Sequence, residues 1–236
     1  MKIVTFETYE EMSRYAAEMI AGQVKEKPDS VLGLATGSTP IGLYRHLCGM
    51  CDRGEVSFRD AITYNLDEYC GISPDNDQSY RYFMNENLFS KTDFKKENLH
   101  IPNTSEGNFE EVCKNYDQAI QEAGGIDLQL LGIGLNGHIG FNEPGEFFVK
   151  ETHVVELTQN TIEANARFFD DIKDVPTRAV TMGMSAIMGA RKILMVINGE
   201  KKEEIFKRAT AGDITPWCPA TILQLHPDVT VLYSKE

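Results

Sequence analysis

The chain has 236 residues, 42% of them hydrophobic, with a formal net charge of -13 and a sequence pI ≈ 4.9. That length and apolar content suffice for one full-sized domain with a large core. So acidic a surface repels nucleic acid and anionic lipid, which excludes both as expected partners; a phosphorylated ligand would need a local cationic pocket.

Met1 to Phe6 alternates in polarity and reads as a short strand, with no apolar run long enough for a signal peptide or a transmembrane helix. Thr8 and Glu11 have capping-box spacing, and Met12, Tyr15, Ala16, Met19, Ile20 and Val24 then recur at helical intervals. Val31 to Ala35 is a short apolar strand that runs into Thr36-Gly37-Ser38-Thr39-Pro40, followed by a helix carrying Ile41, Leu43, Tyr44 and Leu47. Strand, Gly/Ser/Thr turn and helix is the layout that cradles an anion, because backbone N–H groups, hydroxyls and the helix dipole all face it. Many loops of this composition only cap a helix. The segment lacks the Gly-Lys-Ser/Thr ending of a Walker P-loop, and it is not a GxGxxG dinucleotide fingerprint.

Ala61 to Leu66 is the next expected strand, delivering Asp67-Glu68-Tyr69 at its end. Those two acids are either solvated decoration or a pair with one carboxylate in a cleft and the other outside. Tyr80 to Leu88 and Phe109 to Ala123 read as helices, and Leu128 to Ile133 as a buried parallel strand. That strand breaks into Gly134-Leu135-Asn136-Gly137-His138-Ile139-Gly140-Phe141-Asn142-Glu143-Pro144. His titrates nearest neutral pH, so His138 beside Glu143 and the Asn136 amide is a candidate proton-handling cluster; the alternative is a Gly-rich turn with one surface His. Further strands are expected at Val154–Leu157, Ala179–Met182, Ile193–Ile197 and Val229–Tyr233, and a helix from about Asn160 to Phe169 containing Arg167. Asn198 to Lys202 opens another helix, and Pro219 to Gln224 is a short one with Pro at its start. The five scattered cysteines, Cys48, Cys51, Cys70, Cys113 and Cys218, suit reduced thiols of a cytoplasmic protein better than a zinc site.

Strands alternate with helices throughout, and most strands are unbroken apolar runs, as strands covered on both faces should be. The expected fold is α/β: a single domain over 1–236 with a doubly wound, mostly parallel sheet flanked by helices, Rossmann-like. In such a sheet ligands bind beyond the carboxyl ends of the strands, which gathers loops 36–40, 67–69, 134–144 and 198–202. Thr36, Gly37, Ser38 and Thr39, with Arg167 and Lys201 or Lys202, could hold a phosphate; Asp67 offers a carboxylate base; His138 with Glu143 offers a second proton-transfer group. Taken singly, each has an ordinary use as a cap or surface charge, and Trp217 between Pro216 and Pro219 reads as packing.

Ala35-Thr36-Gly37-Ser38-Thr39-Pro40, Asn65-Leu66-Asp67-Glu68-Tyr69, the segment from Gly132 to Pro144, and Leu223-Gln224-Leu225-His226-Pro227 resemble, in order and over nearly the whole chain, the glucosamine-6-phosphate deaminase family. The first segment and the Gly-His core are shared with 6-phosphogluconolactonases; Asp-Glu-Tyr and Asn-Glu-Pro are more specific. The resemblance implies conversion of glucosamine 6-phosphate and water to fructose 6-phosphate and ammonia, with no cofactor or metal. It implies that His138 opens the ring, oriented by Glu143 and Asn136, and that Asp67 carries the proton from C2 to C1. It assigns the phosphate to Ser38 and its neighbours, Arg167 and Lys202, with Lys201 as the alternative. Two departures stand out. Asn136 occupies a position where many members carry Asp, so a charged relay would rest on Glu143 alone. The stretch Gly145 to Thr152 holds one basic residue where allosteric hexameric relatives carry a Ser/Arg-rich segment, so an unregulated monomer or small homo-oligomer is expected. The rival expectations are a lactonase-like sugar-phosphate hydrolase and a non-catalytic sugar-phosphate-binding protein.

Overall fold

The computed structural model describes residues 1–105, 107–157 and 175–236. Seven strands form one parallel sheet: β1 (Lys2–Phe6), β2 (Val31–Leu34), β3 (Ile62–Asn65), β5 (Leu99–His100), β6 (Leu128–Leu131), β9 (Lys192–Asn198) and β10 (Val229–Ser234). Their order is β1-β10-β9-β6-β2-β3-β5, with every neighbouring pair parallel. Strands β2, β6 and β10 are buried at every position, which is why their sequences are mostly apolar, with Gln129, Thr230 and Ser234 as buried polar exceptions.

Helices flank the sheet. The Thr8 hydroxyl takes the Glu11 N–H at 3.2 Å and the Glu11 carboxylate takes the Thr8 N–H at 3.2 Å, so the expected capping box opens α1 (Tyr9–Glu26). Met12, Ala16, Ile20 and Val24 are buried on its inner face. Helices α2 (Ile41–Asp52), α3 (Tyr80–Asn87) and α4 (Phe109–Glu122) follow, then α5 (Met184–Met188) and α6 (Glu203–Thr210). At the amino ends of the strands, the buried Asp127 carboxylate accepts the Val31 N–H at 2.8 Å and pairs with Lys27 at 2.6 Å and Arg191 at 3.2 Å.

Two expected strands lie outside this sheet. Residues 153–156 (β7) and 178–181 (β8) join β4 (Asp67–Tyr69) in a separate three-stranded antiparallel sheet, order β4-β8-β7. The chain turns out of the parallel sheet at Leu66, whose N–H still bonds the Leu34 carbonyl while its own carbonyl takes the Met182 N–H at 2.7 Å. Asp67-Glu68-Tyr69 is therefore a buried strand of the second sheet instead of a loop. The expected 219–224 helix is a 3-10 helix, Pro219–Leu225, and the expected 160–169 helix lies outside the described residues.

Candidate active site

From β2 the order runs outward through β3 and β5, whereas from β6 it runs the other way through β9 and β10. The reversal falls between β2 and β6, the place where an open parallel sheet leaves a crevice at its carboxyl ends. A cleft of about 280 Å³ lies there, lined by the 36–40 loop, Leu66, Asp67, Tyr80, Gly132 to Gly134, His138, Gly140, Phe141 and Lys202.

One wall is the 36–40 loop leading into α2. Pro40 caps α2 with no side-chain acceptor. The N–H groups of Gly37, Ser38 and Thr39 meet no acceptor among the described residues, so they present donors at a helix N-terminus. Lys202 lines the same cleft, half-buried and without an ion-pair partner among the described residues; burial lowers its pKa from the ordinary lysine value. Lys201 is exposed and does not line the cleft. Lys202 closes the single 3-10 turn Glu200–Lys202 that precedes α6.

Asp67 is 6% exposed, and its carboxylate has no hydrogen-bond or ion-pair partner among the described residues. Burial, and secondly the Glu68 charge, push its carboxyl up to about 8. Glu68 does not point outside: it is 4% exposed, and its carboxylate takes the N–H groups of Tyr69 at 2.9 Å, Tyr80 at 3.0 Å and Arg81 at 2.9 Å. It thereby satisfies the first turn of α3 and fixes Tyr80 against the cleft. Burial raises the Glu68 carboxyl, and those three N–H groups work against it.

The other wall is the 134–144 loop. Gly134 donates to the His138 carbonyl at 3.0 Å, and the imidazole lies over Gly134, where any Cβ would come within 2.3 Å of the ring. His138 Nδ1 is 3.0 Å from Glu143 Oε1, Asn136 Nδ2 donates to Glu143 Oε2 at 2.6 Å, and Asn136 Oδ1 accepts the His138 N–H at 3.1 Å. This closed ring of contacts fixes the imidazole and leaves Nε2 for the cleft. Burial raises the Glu143 carboxyl, but the His138 hydrogen bond and charge and the Asn136 hydrogen bond outweigh it, and the net shift is downward. Asp67 approaches the same loop: a Cβ on Gly140 would lie 3.5 Å from Asp67 Oδ2 and 2.9 Å from Thr181 Oγ1.

Thr36, Gly37, Ser38, Thr39, Asp67, His138 and Lys202 thus share one cleft, with Asn136 and Glu143 behind the imidazole. Arg167 lies outside the described residues. Trp217 is 58% exposed and is neither packed nor in the cleft. Sequence reasoning missed the aromatic wall of Tyr80 and Phe141, whose rings stack 6.2 Å apart at 11°. It also missed Thr181, which faces Asp67 across β4 and β8 and accepts the Phe141 N–H at 3.0 Å. No local pattern signals either, since both depend on pairing across distant segments.

A parallel sheet with its crevice at the strand reversal, furnished with donors, a cation and two proton-transfer groups, defines a small-molecule enzyme of the doubly wound α/β class. Residues 5–232 match the family model of glucosamine-6-phosphate isomerases/6-phosphogluconolactonase. A glucosamine-6-phosphate deaminase of Thermoanaerobacter pseudethanolicus is 55% identical over 100% of this chain and 93% of its own length. One of Clostridium perfringens is 52% identical over 100% and 98%. A solved monomeric glucosamine-6-phosphate deaminase superposes with a TM-score of 0.96 at 47% identity, covering 100% of this chain and 98% of its own. A 6-phosphogluconolactonase from Thermotoga maritima, TM-score 0.72 at 22% identity over 100% and 99%, shares the fold. The chain belongs to the glucosamine-6-phosphate isomerase/6-phosphogluconolactonase family.

Proposed function

We propose that this enzyme converts D-glucosamine 6-phosphate and water to D-fructose 6-phosphate and ammonia. The observation that carries the reading is that Asp67 and His138 line one cleft together with an anion-suited loop and Lys202. Sequence identity of 50–55% to curated deaminases over essentially the whole chain supports the same reaction.

In this reading the phosphate sits on the N–H groups of Gly37, Ser38 and Thr39, with the Thr36, Ser38 and Thr39 hydroxyls and the Lys202 ammonium around it. Arg167 completes the set as the family resemblance implies. With the phosphate fixed, the sugar reaches toward His138 and Asp67. His138 Nε2 moves the proton that opens the pyranose ring, while Glu143 holds Nδ1 and Asn136 holds Glu143. Asp67 takes the proton from C2 of the open chain and returns it at C1, turning the amino aldose into a C2 imine. Water adds to that imine, and ammonia leaves as the ketone forms. A carboxylate raised to about 8 by burial is a stronger base than an ordinary Asp, which suits abstraction from carbon.

The smaller assembly belongs to this proposal. The related solved deaminase is monomeric, and the one basic residue between Gly145 and Thr152, Lys150, is exposed and paired with Glu151. A cytoplasmic site of action is likewise part of it; no helix among the described residues is long and apolar enough to cross a membrane. A coupled assay of ammonia and fructose 6-phosphate on wild type and Asp67→Asn tests the reaction. Wild type turns over, and the variant falls by roughly 10²–10⁴-fold, the scale of one general acid–base step. Equal rates would remove Asp67 from the role.

A further inference from the structure

We propose that Tyr9, outside the cleft, is a positioning residue that holds the 36–39 loop in its anion-binding shape by bridging the end of that loop to the first turn of α2. The inference rests on reading that loop as the phosphate site.

Tyr9 is the first residue of α1, directly after the Thr8 cap, and its N–H is tied to Glu236 Oε2 at 2.7 Å. Its ring packs half-buried against the core. Its hydroxyl lies 2.8 Å from the Thr39 carbonyl and 3.3 Å from the Ser38 carbonyl, and it accepts the Gly42 N–H at 2.8 Å. One hydroxyl therefore donates to the last residues of the loop and accepts from the second residue of α2.

That helix needs such help. The first N–H groups of any helix lack intrahelical partners, and Pro40 supplies no side-chain acceptor. Tyr9 acts as a cap delivered from another helix. It satisfies the Gly42 N–H, while the N–H groups of Gly37, Ser38 and Thr39 stay open to an anion. By holding the carbonyls of Ser38 and Thr39 it turns them away from a negative ligand they would repel. Gly42 makes the approach possible: a Cβ there would stand 2.5 Å from Ser13 Oγ and 2.8 Å from the Tyr9 hydroxyl.

Tyr9→Phe keeps the ring and deletes the bridge. In the full-length enzyme, the inhibition constant of inorganic phosphate and the KM for glucosamine 6-phosphate rise together by roughly three- to tenfold. The kcat stays within about twofold and the pH profile keeps its shape, because Asp67 and His138 are untouched. Gly42→Ala, which displaces the hydroxyl while keeping it, gives the same split. A lower Tm with unchanged phosphate affinity in both variants would make Tyr9 a stability residue only and overturn the proposal. Ser38→Ala and Lys202→Met are measured alongside. If they too leave phosphate binding unchanged, the phosphate reading falls and takes this inference with it. If they weaken binding and Tyr9→Phe does not, the assignment of Tyr9 alone is wrong.

Discussion

Lys202→Met separates binding from chemistry and carries a sign that a surface lysine would not show. Lys202 is half-buried, has no counter-charge among the described residues, and is lowered in pKa by burial. A group whose pKa is depressed on folding holds fewer protons folded than unfolded, so stability rises with pH through that window and the charge is a net cost at neutral pH. Replacing it by an apolar side chain of similar length relieves that cost, and the unliganded variant is at least as stable as wild type. The ligand effect runs the other way. A hydrogen bond between charged partners contributes about 1.5–3 kcal/mol, or roughly 10- to 150-fold in affinity at 1.4 kcal/mol per decade. The ammonium sits in a cleft open to solvent, so the lower half of that range applies. Steady-state kinetics should show KM raised roughly 10- to 30-fold with kcat within a few-fold, the pattern of lost uniform binding. Thermal unfolding with and without inorganic phosphate should show an unchanged or higher Tm for the apo variant and little upward shift on adding phosphate. A KM within twofold of wild type, with the phosphate-induced shift retained, would refute the placement of the phosphate.

Asp67 is raised to about 8, so in the free enzyme log kcat/KM should fall with falling pH from near that value; a limb in the ordinary carboxylate range contradicts the buried-base reading. The native state then holds the extra proton between the ordinary Asp value and about 8, so stability declines as pH rises through that window, and Asp67→Asn should gain Tm relative to wild type at pH 8 more than at pH 4. Asn136→Asp replaces a 2.6 Å donor to Glu143 by a second carboxylate and should change the pH profile of turnover; an identical profile means the 136–143–138 ring does not tune the imidazole. Asp127→Ala strands the Val31 N–H and two half-exposed cations, costing about 1–3 kcal/mol in denaturant unfolding, with activity per folded molecule unchanged.

The parallel sheet was legible because strands buried on both faces run largely apolar, and Val31–Leu34 and Leu128–Leu131, with Gln129 its one polar residue, announce themselves that way. The cleft was legible for a related reason: polar, Gly-rich segments following such runs can only be the loops at the carboxyl edge. What failed was anything decided by long-range pairing. Asp67-Glu68-Tyr69 looks like a loop because it is polar, yet it is a buried strand whose partner, Arg178–Thr181, lies over a hundred residues on. Leu99–His100 is two half-buried residues, too short to show any period. The inward turn of Glu68 depends on α3 returning its first N–H groups to that carboxylate. Adjacent Lys201 and Lys202 look alike in the sequence, and only the fold shows that Lys202 lines the cleft while Lys201 is exposed.

In the proposed reaction a single carboxyl group, Asp67, serves both C2 and C1 from one side of the sugar. Fructose 6-phosphate and ammonium, incubated with enzyme in heavy water, report it directly through the C1 hydrogens in the proton NMR spectrum. Wild type should exchange one of the two C1 hydrogens and spare the other, and Asp67→Asn should exchange neither. Exchange of both by wild type, or of one at the wild-type rate by the variant, would contradict it.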